Sequence, residues 1–99
     1  SVFPEVLPQF NGNIATAIGQ NLSYTGLSTE TTSVGRIYVS FIVDTDASLK
    51  DIVFLTVNSI ELNRSIATAL QLLNGWKPAM HNGKPVACRY NLPLTLHFQ

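Results

Sequence analysis

Three carboxylates, Asp44, Asp46 and Asp51, crowd the stretch DTDASLKD of a 99-residue chain. Two carboxylates held close can divide acid and base roles between them. Aspartates also gather in tight turns, where their side chains bond neighbouring backbone N–H groups. The turn account covers all three. The other reactive side chains are His81, His97 and Cys88. None stands at a metal-ligand spacing such as CxxC or HxxxH. Cys88 with a histidine suggests a thiol nucleophile. Its place on the apolar parity of a strand suggests a small, inert hydrophobe instead. His81 reads as a solvated turn residue and His97 as an outward strand residue. The glycines of NGN and NGK mark turns and do not form a GxGxxG phosphate cradle. No enzyme activity, cofactor or metal is therefore expected.

Charge narrows the field further. Six Lys and Arg balance six Asp and Glu, and the basic residues Arg36, Lys50, Arg64, Lys77, Lys84 and Arg89 are scattered. Nucleic-acid binding needs clustered basic residues to neutralise phosphates, so no nucleic acid is expected. Nor is an electrostatic membrane-surface module. Hydrophobic residues make up 45% of the chain, enough for one globular core and too many for disorder. A lone cysteine, Cys88, cannot form an internal disulfide. No apolar run approaches the ~20 residues that span a bilayer. The abrupt opening at Ser1 carries no charged-then-apolar leader, and the chain is expected to be a fragment of a longer protein. The sequons at Asn21 and Asn63 matter only in a protein secreted by a eukaryote.

The elements follow from spacing. Residues 1–12 read as an extended lead-in, because Pro4 and Pro8 bias Phe3 and Leu7 to extended backbone. Asn13 caps a short helix whose buried stripe is Ile14, Ala17, Ile18 and Leu22. SYTGLSTETTSVG is polar and reads as a loop. GRIYVSFIVD alternates, with Ile37, Val39, Phe41 and Val43 on one face. LKDIVFLTVN is a second strand, antiparallel across the DTDAS turn, with Ile52 and Phe54 inward. NRSIATALQLLNG is a helix capped by Asn63, stopped by Gly75, and apolar along Ile66, Ala69, Leu70 and Leu73. KPVACRYNLPLTLHF is a long final strand with Val86, Cys88, Tyr90, Leu92, Leu94, Leu96 and Phe98 on one parity. Pro93 sits on the other parity, and proline is confined to edges and bulges. This strand therefore has an exposed edge. Trp76 reads as a core anchor, with Pro78 and Pro85 shaping the approach to the strand. The expected fold is one α+β domain over residues 1–99: two layers, an antiparallel three-stranded sheet with two helices on one face, in the order α-β-β-α-β.

The tail GWKPAMHNGKPVACRYNLPLTLHF resembles the C-terminal domain of TonB-type energy transducers. The matching pieces are Trp76 and Pro78, the run Gly83, Lys84, Pro85 and Val86, and Tyr90 to Pro93. Upstream, NLSYT is similar to the family's Asn-Leu-x-Tyr-Pro. GRIYVSFIVDTDASL is similar to its alternating strand and hairpin, and PQFNGN stands where the family has Phe-Pro-Gly-Gly. The chain departs from the pattern at Asn11 and Thr25, which replace prolines, and at Ala47, which replaces the hairpin glycine. The helix 63–73 lacks the family's Glu-Ala and Arg, and Gly75 precedes the tryptophan in place of Pro-x.

The resemblance implies a periplasmic, inner-membrane-anchored protein–protein module. Such domains couple an inner-membrane motor complex to outer-membrane TonB-dependent receptors. They add a receptor peptide, the TonB box, to the edge of their last strand. The positions it implies are Ala87, Cys88, Arg89, Tyr90 and Asn91 on the strand, with Asn21, Ser23 and Tyr24 beside the peptide. The inner-membrane link would lie before Ser1. Two alternatives differ in class. One is a structural or sensory domain of the same fold on a membrane receptor or peptidase, self-associating as a homodimer through the exposed edge. The other is a small enzyme using Asp44 or His81.

Overall fold

A computed structural model describes residues 3–22 and 35–96. The elements run β1 (Gln9–Phe10), α1 (Ile14–Asn21), β2 (Gly35–Val43), β3 (Leu49–Phe54), α2 (Ile60–Leu72), β4 (Trp76–Lys77), β5 (Ala79–His81), β6 (Lys84–Val86) and β7 (Cys88–Leu96). The fold is α+β. Its main sheet is antiparallel, in the order β3-β2-β7, and both helices pack on one face of it.

Alternation in β2 fixes that face. Ile37, Val39, Phe41 and Val43 are all buried. Leu92 and Leu94 of β7 join them, and the helices close over the set with Ile18 and Leu22 from one end and Leu62, Ile66, Ala69 and Leu70 from the other. Each of these side chains other than Ala69 stabilises the fold by about 1.5–3 kcal/mol relative to leaving it in water.

Strand β3 breaks its own alternation. Ile52 and Phe54 pack against the core as expected, but Leu49 is buried too. Leu49 and Ile52 differ in parity and share a face because the register slips between Ser40 and Ile42. Asp51 sits in this bulge with φ of 53°. One extra residue in one strand lets two parities point inward.

The helix starts differ in their outcome. Asn13 caps α1 as expected, its Oδ1 accepting the Thr16 N–H at 3.0 Å. The second helix does not begin at an Asn63 cap. Ser59 caps it, its Oγ accepting the Leu62 N–H at 3.1 Å. Asn63 lies inside the first turn and accepts from Asn58 Nδ2 at 2.9 Å. The earlier start gains Leu62 for the core and places Glu61 in the first turn, where the helix dipole favours an acid.

The final segment is two strands rather than one. Residues Lys84–Val86 pair with Ala79–His81 in a hairpin, and Cys88–Leu96 pairs with Gly35–Val43. Asn82 and Gly83 turn the hairpin with φ of 51° and 74°, the positive pair that a type I′ turn needs. The lead-in is extended, and it is also paired. Gln9 and Phe10 lie opposite Lys77 and Trp76, and the Glu5 and Val6 N–H groups donate to the Met80 carbonyl at 2.9 and 3.2 Å. The loop expected over 23–34 lies outside the described residues.

Candidate interaction edge

Tyr38 shows which way the backbone of β2 faces. Its carbonyl accepts the Leu55 N–H at 2.8 Å, and its own N–H reaches Thr56 Oγ1 at 3.4 Å. Both partners lie on the β3 side. In an extended strand the N–H and C=O of one residue point to the same edge, and successive residues alternate. Ile37, Val39, Phe41 and Val43 therefore turn to β7, opposite Leu94, Leu92, Tyr90 and Cys88. Those four residues of β7 are committed to β2. Arg89, Asn91, Pro93 and Thr95 direct their backbone groups to the other edge. Among the described residues no strand pairs with that edge.

The two edges of the sheet differ. Strand β3 is short, bulged at Asp51 and carries Lys50, devices that discourage a further strand. Strand β7 is nine residues long and holds an unbroken register with β2.

Side chains on the two faces of β7 have separate tasks. Tyr90 faces the helices, stacked on Phe41 at 5.6 Å and edge-on to Trp76 at 5.2 Å. Trp76 also meets Phe10 at 5.2 Å and Phe41 at 5.4 Å, both edge-on. Its indole is buried and its Nε1–H finds no oxygen or nitrogen acceptor among the described residues. Trp76 thus ties the lead-in, β2 and β7 into one aromatic cluster, the anchor role expected of it.

On the open face the Arg89 guanidinium donates to Ser40 Oγ at 2.9 Å and to the Asp51 carboxylate. Ser40 is buried beneath it. Cys88 is half-buried, and its thiol donates to the Arg89 carbonyl at 3.6 Å.

The remaining expected residues fall as follows. Ala87 is exposed at the joint between β6 and β7, and Asn91 is exposed on β7. Asn21 ends α1 and donates its side-chain amide to the Ala17 carbonyl at 3.0 Å. Ser23 and Tyr24 lie outside the described residues, as does His97. Gly83, Lys84, Pro85 and Val86 form the β5–β6 hairpin, and Pro78 separates β4 from β5.

Asp44 and Asp46 serve the turn, but Asp51 does not: it lies in the bulge of β3. The Lys50 ammonium, 2.6 Å from Asp44, holds that carboxyl below its ordinary range, helped by the Thr45 N–H. The Ser48 hydroxyl and then the Ser48 N–H lower Asp46. Asp51 pairs with Arg89. His81 Nδ1 lies 3.3 Å from the Glu5 carboxylate, far in sequence from Asp44 and Asp46. Among the described residues no three His, Cys, Asp or Glu side chains gather as for a metal.

Alternation could not separate Arg89 and Asn91 from Cys88 and Tyr90 as edge groups. The signal was present in Pro93, which shares the parity of the outward pair. Nothing in the sequence tied Ser40 or Asp51 to Arg89. The chain matches no family model, and no curated protein is significantly similar to it.

Proposed function

We propose that this domain is a peptide-capturing protein–protein module of the TonB C-terminal type. It adds an extended receptor peptide as a fourth strand to the main sheet, beside β7. In this reading it works in the periplasm and relays inner-membrane energy to an outer-membrane receptor. The link to the inner-membrane motor complex lies before Ser1. One observation carries the reading: β7 is long, regular and unpaired on its outer side among the described residues. An added strand gains affinity from main-chain hydrogen bonds and selectivity from alternate side chains. Here those neighbours are Tyr90 and Leu92 on the helix side and Arg89 and Asn91 on the open side.

The test is a titration of isotope-labelled domain with synthetic peptides from the plug segments of TonB-dependent receptors. Shifts should concentrate in residues 86–98 and 20–25. Shifts confined elsewhere reject the edge as the site. Arg89→Pro removes an outward N–H without removing a backbone bond to β2, and should weaken capture; Arg89→Ala is the control for the lost side-chain bonds to Ser40 and Asp51.

A further inference from the structure

Two prolines interrupt the approach to β7 and the strand itself, and both are exposed. Pro93 stands on the outward parity, opposite Tyr38. Pro85 stands there as well. It pairs with Met80, and Met80 uses both backbone groups on the lead-in: its N–H donates to the Val6 carbonyl at 2.9 Å, and its carbonyl accepts from Glu5 and Val6. Met80 therefore faces away from β6, and Pro85 faces away from β5. Lys84 and Val86 turn to the hairpin partner, and Cys88, Tyr90, Leu92 and Leu94 turn to β2. Along this whole stretch the even-numbered residues bind the fold and the odd-numbered ones face out.

Neither proline costs the fold a ladder bond, since each lacks an N–H at a position that points outward. Each does deprive the outer edge of a donor. Between them the outward N–H groups are those of Arg89 and Asn91, with Ala87 of the same parity at the joint. We propose that Pro85 and Pro93 bracket the docking edge and set the length of strand it accepts, an inference that rests on the docking function above. From residue 87 to residue 91 the edge spans about 13 Å at ~3.3 Å per residue, the length of a guest of about five residues. At Pro85 and at Pro93 themselves the edge offers a carbonyl and no N–H, and past Pro93 the next outward donor is Thr95. The same gap limits a second copy. In an antiparallel pairing of two β7 edges that sets Arg89 against Asn91, Ala87 falls opposite Pro93, and that pair lacks a donor.

A length series tests this. Capped peptides of alternating Val and Thr with one Glu, about five, seven, nine and eleven residues long, are titrated against the native domain, Pro93→Thr and Pro85→Thr. Both substitutions lie on exposed positions, and retention of the β2 and β3 amide resonances confirms the fold. On the native domain affinity should level off near the shorter lengths. On either variant the plateau should move to longer peptides, with a gain of about threefold for the restored bond. A native affinity that keeps rising through the longest peptide, or a plateau unmoved by both variants, overturns the bracket. Absence of native binding at every length overturns the docking function itself, which separates the two failures.

Discussion

Arg89 on β7 and Asp51 on β3 are joined by an ion pair that crosses the central strand between them. They stand on the two outer strands, so the pair spans the width of the sheet. Ser40 on β2 offers its hydroxyl to the same guanidinium. The arrangement draws a long side chain back across the open face and away from the outer edge of β7. Arg89 thus holds its head group over the sheet while its backbone N–H points to an edge that no strand among the described residues covers.

Breaking this tie should cost little. Arg89 and Asp51 keep 40% and 60% of their side chains exposed, and pairs so exposed contribute about 0–1 kcal/mol. A double-mutant cycle of Arg89→Ala and Asp51→Ala, followed by urea unfolding, should give a coupling below ~1 kcal/mol that shrinks in high salt. A coupling of zero at low salt would mean that the bridge does not hold in solution.

Ala47 holds φ of 68° in the β2–β3 turn, where its N–H donates to the Asp44 carbonyl at 2.8 Å. A side chain in this left-handed region costs about 1–2 kcal/mol. Glycine relieves that cost but loses more entropy on folding. Ala47→Gly should raise stability by about 0.5–1 kcal/mol, read as a higher midpoint of thermal unfolding. A lower midpoint would contradict the assigned turn.

Trp76 closes the aromatic cluster. Removing its ring leaves a cavity between Phe10, Phe41 and Tyr90. Trp76→Ala should destabilise the domain by about 3–5 kcal/mol, a large share of the ~5–15 kcal/mol that holds a domain of this size folded. Denaturant unfolding measures the loss directly. The native tryptophan emission, from a buried indole, should shift to longer wavelength as the protein unfolds.

The turn also sets a pH response. Asp44 and Asp46 are lowered below 3.8 in the folded state by hydrogen bonds from Lys50, Thr45 and Ser48. A carboxyl lowered on folding contributes stability that is present above its unfolded value and is lost as pH falls through the folded value. Stability should therefore decline as pH drops below about 4, modestly and less in high salt, because both groups are exposed. Lys50 is raised above 10.5 by Asp44, so its contribution holds at neutral pH and fades only above that value. Asp44→Asn should flatten the acid limb of a stability–pH profile.

Much of this fold was legible in the residues, and the exceptions have physical causes. Strict alternation gave the buried face of β2, because one face of the strand meets the helices and the other does not. It could not give Leu49, since the bulge at Asp51 shifts parity without changing residue type. Residue type favours Asn63 as a cap, but Ser59 caps the helix four residues earlier and Leu62 is buried, a tertiary effect outside local propensity. The run from Val86 to Cys88 keeps one parity while its partner changes from β5 to β2, so no pattern marks the break. The prolines of the lead-in mark it as extended, but its pairing with Met80 and Lys77 depends on residues about seventy positions away. At the edge itself, Pro93 announced an unpaired side. Its consequence for Arg89 and Asn91 needed the register with Tyr38 to become visible.

Amide hydrogen exchange at β7 bears most directly on the central claim. In the isolated domain the N–H groups of Tyr90, Leu92 and Leu94 should exchange slowly, and those of Arg89 and Asn91 quickly. A bound receptor peptide should slow Arg89 and Asn91 while leaving the other three unchanged. Slow exchange at Arg89 and Asn91 before any peptide is added, or no change after it binds, would contradict the account.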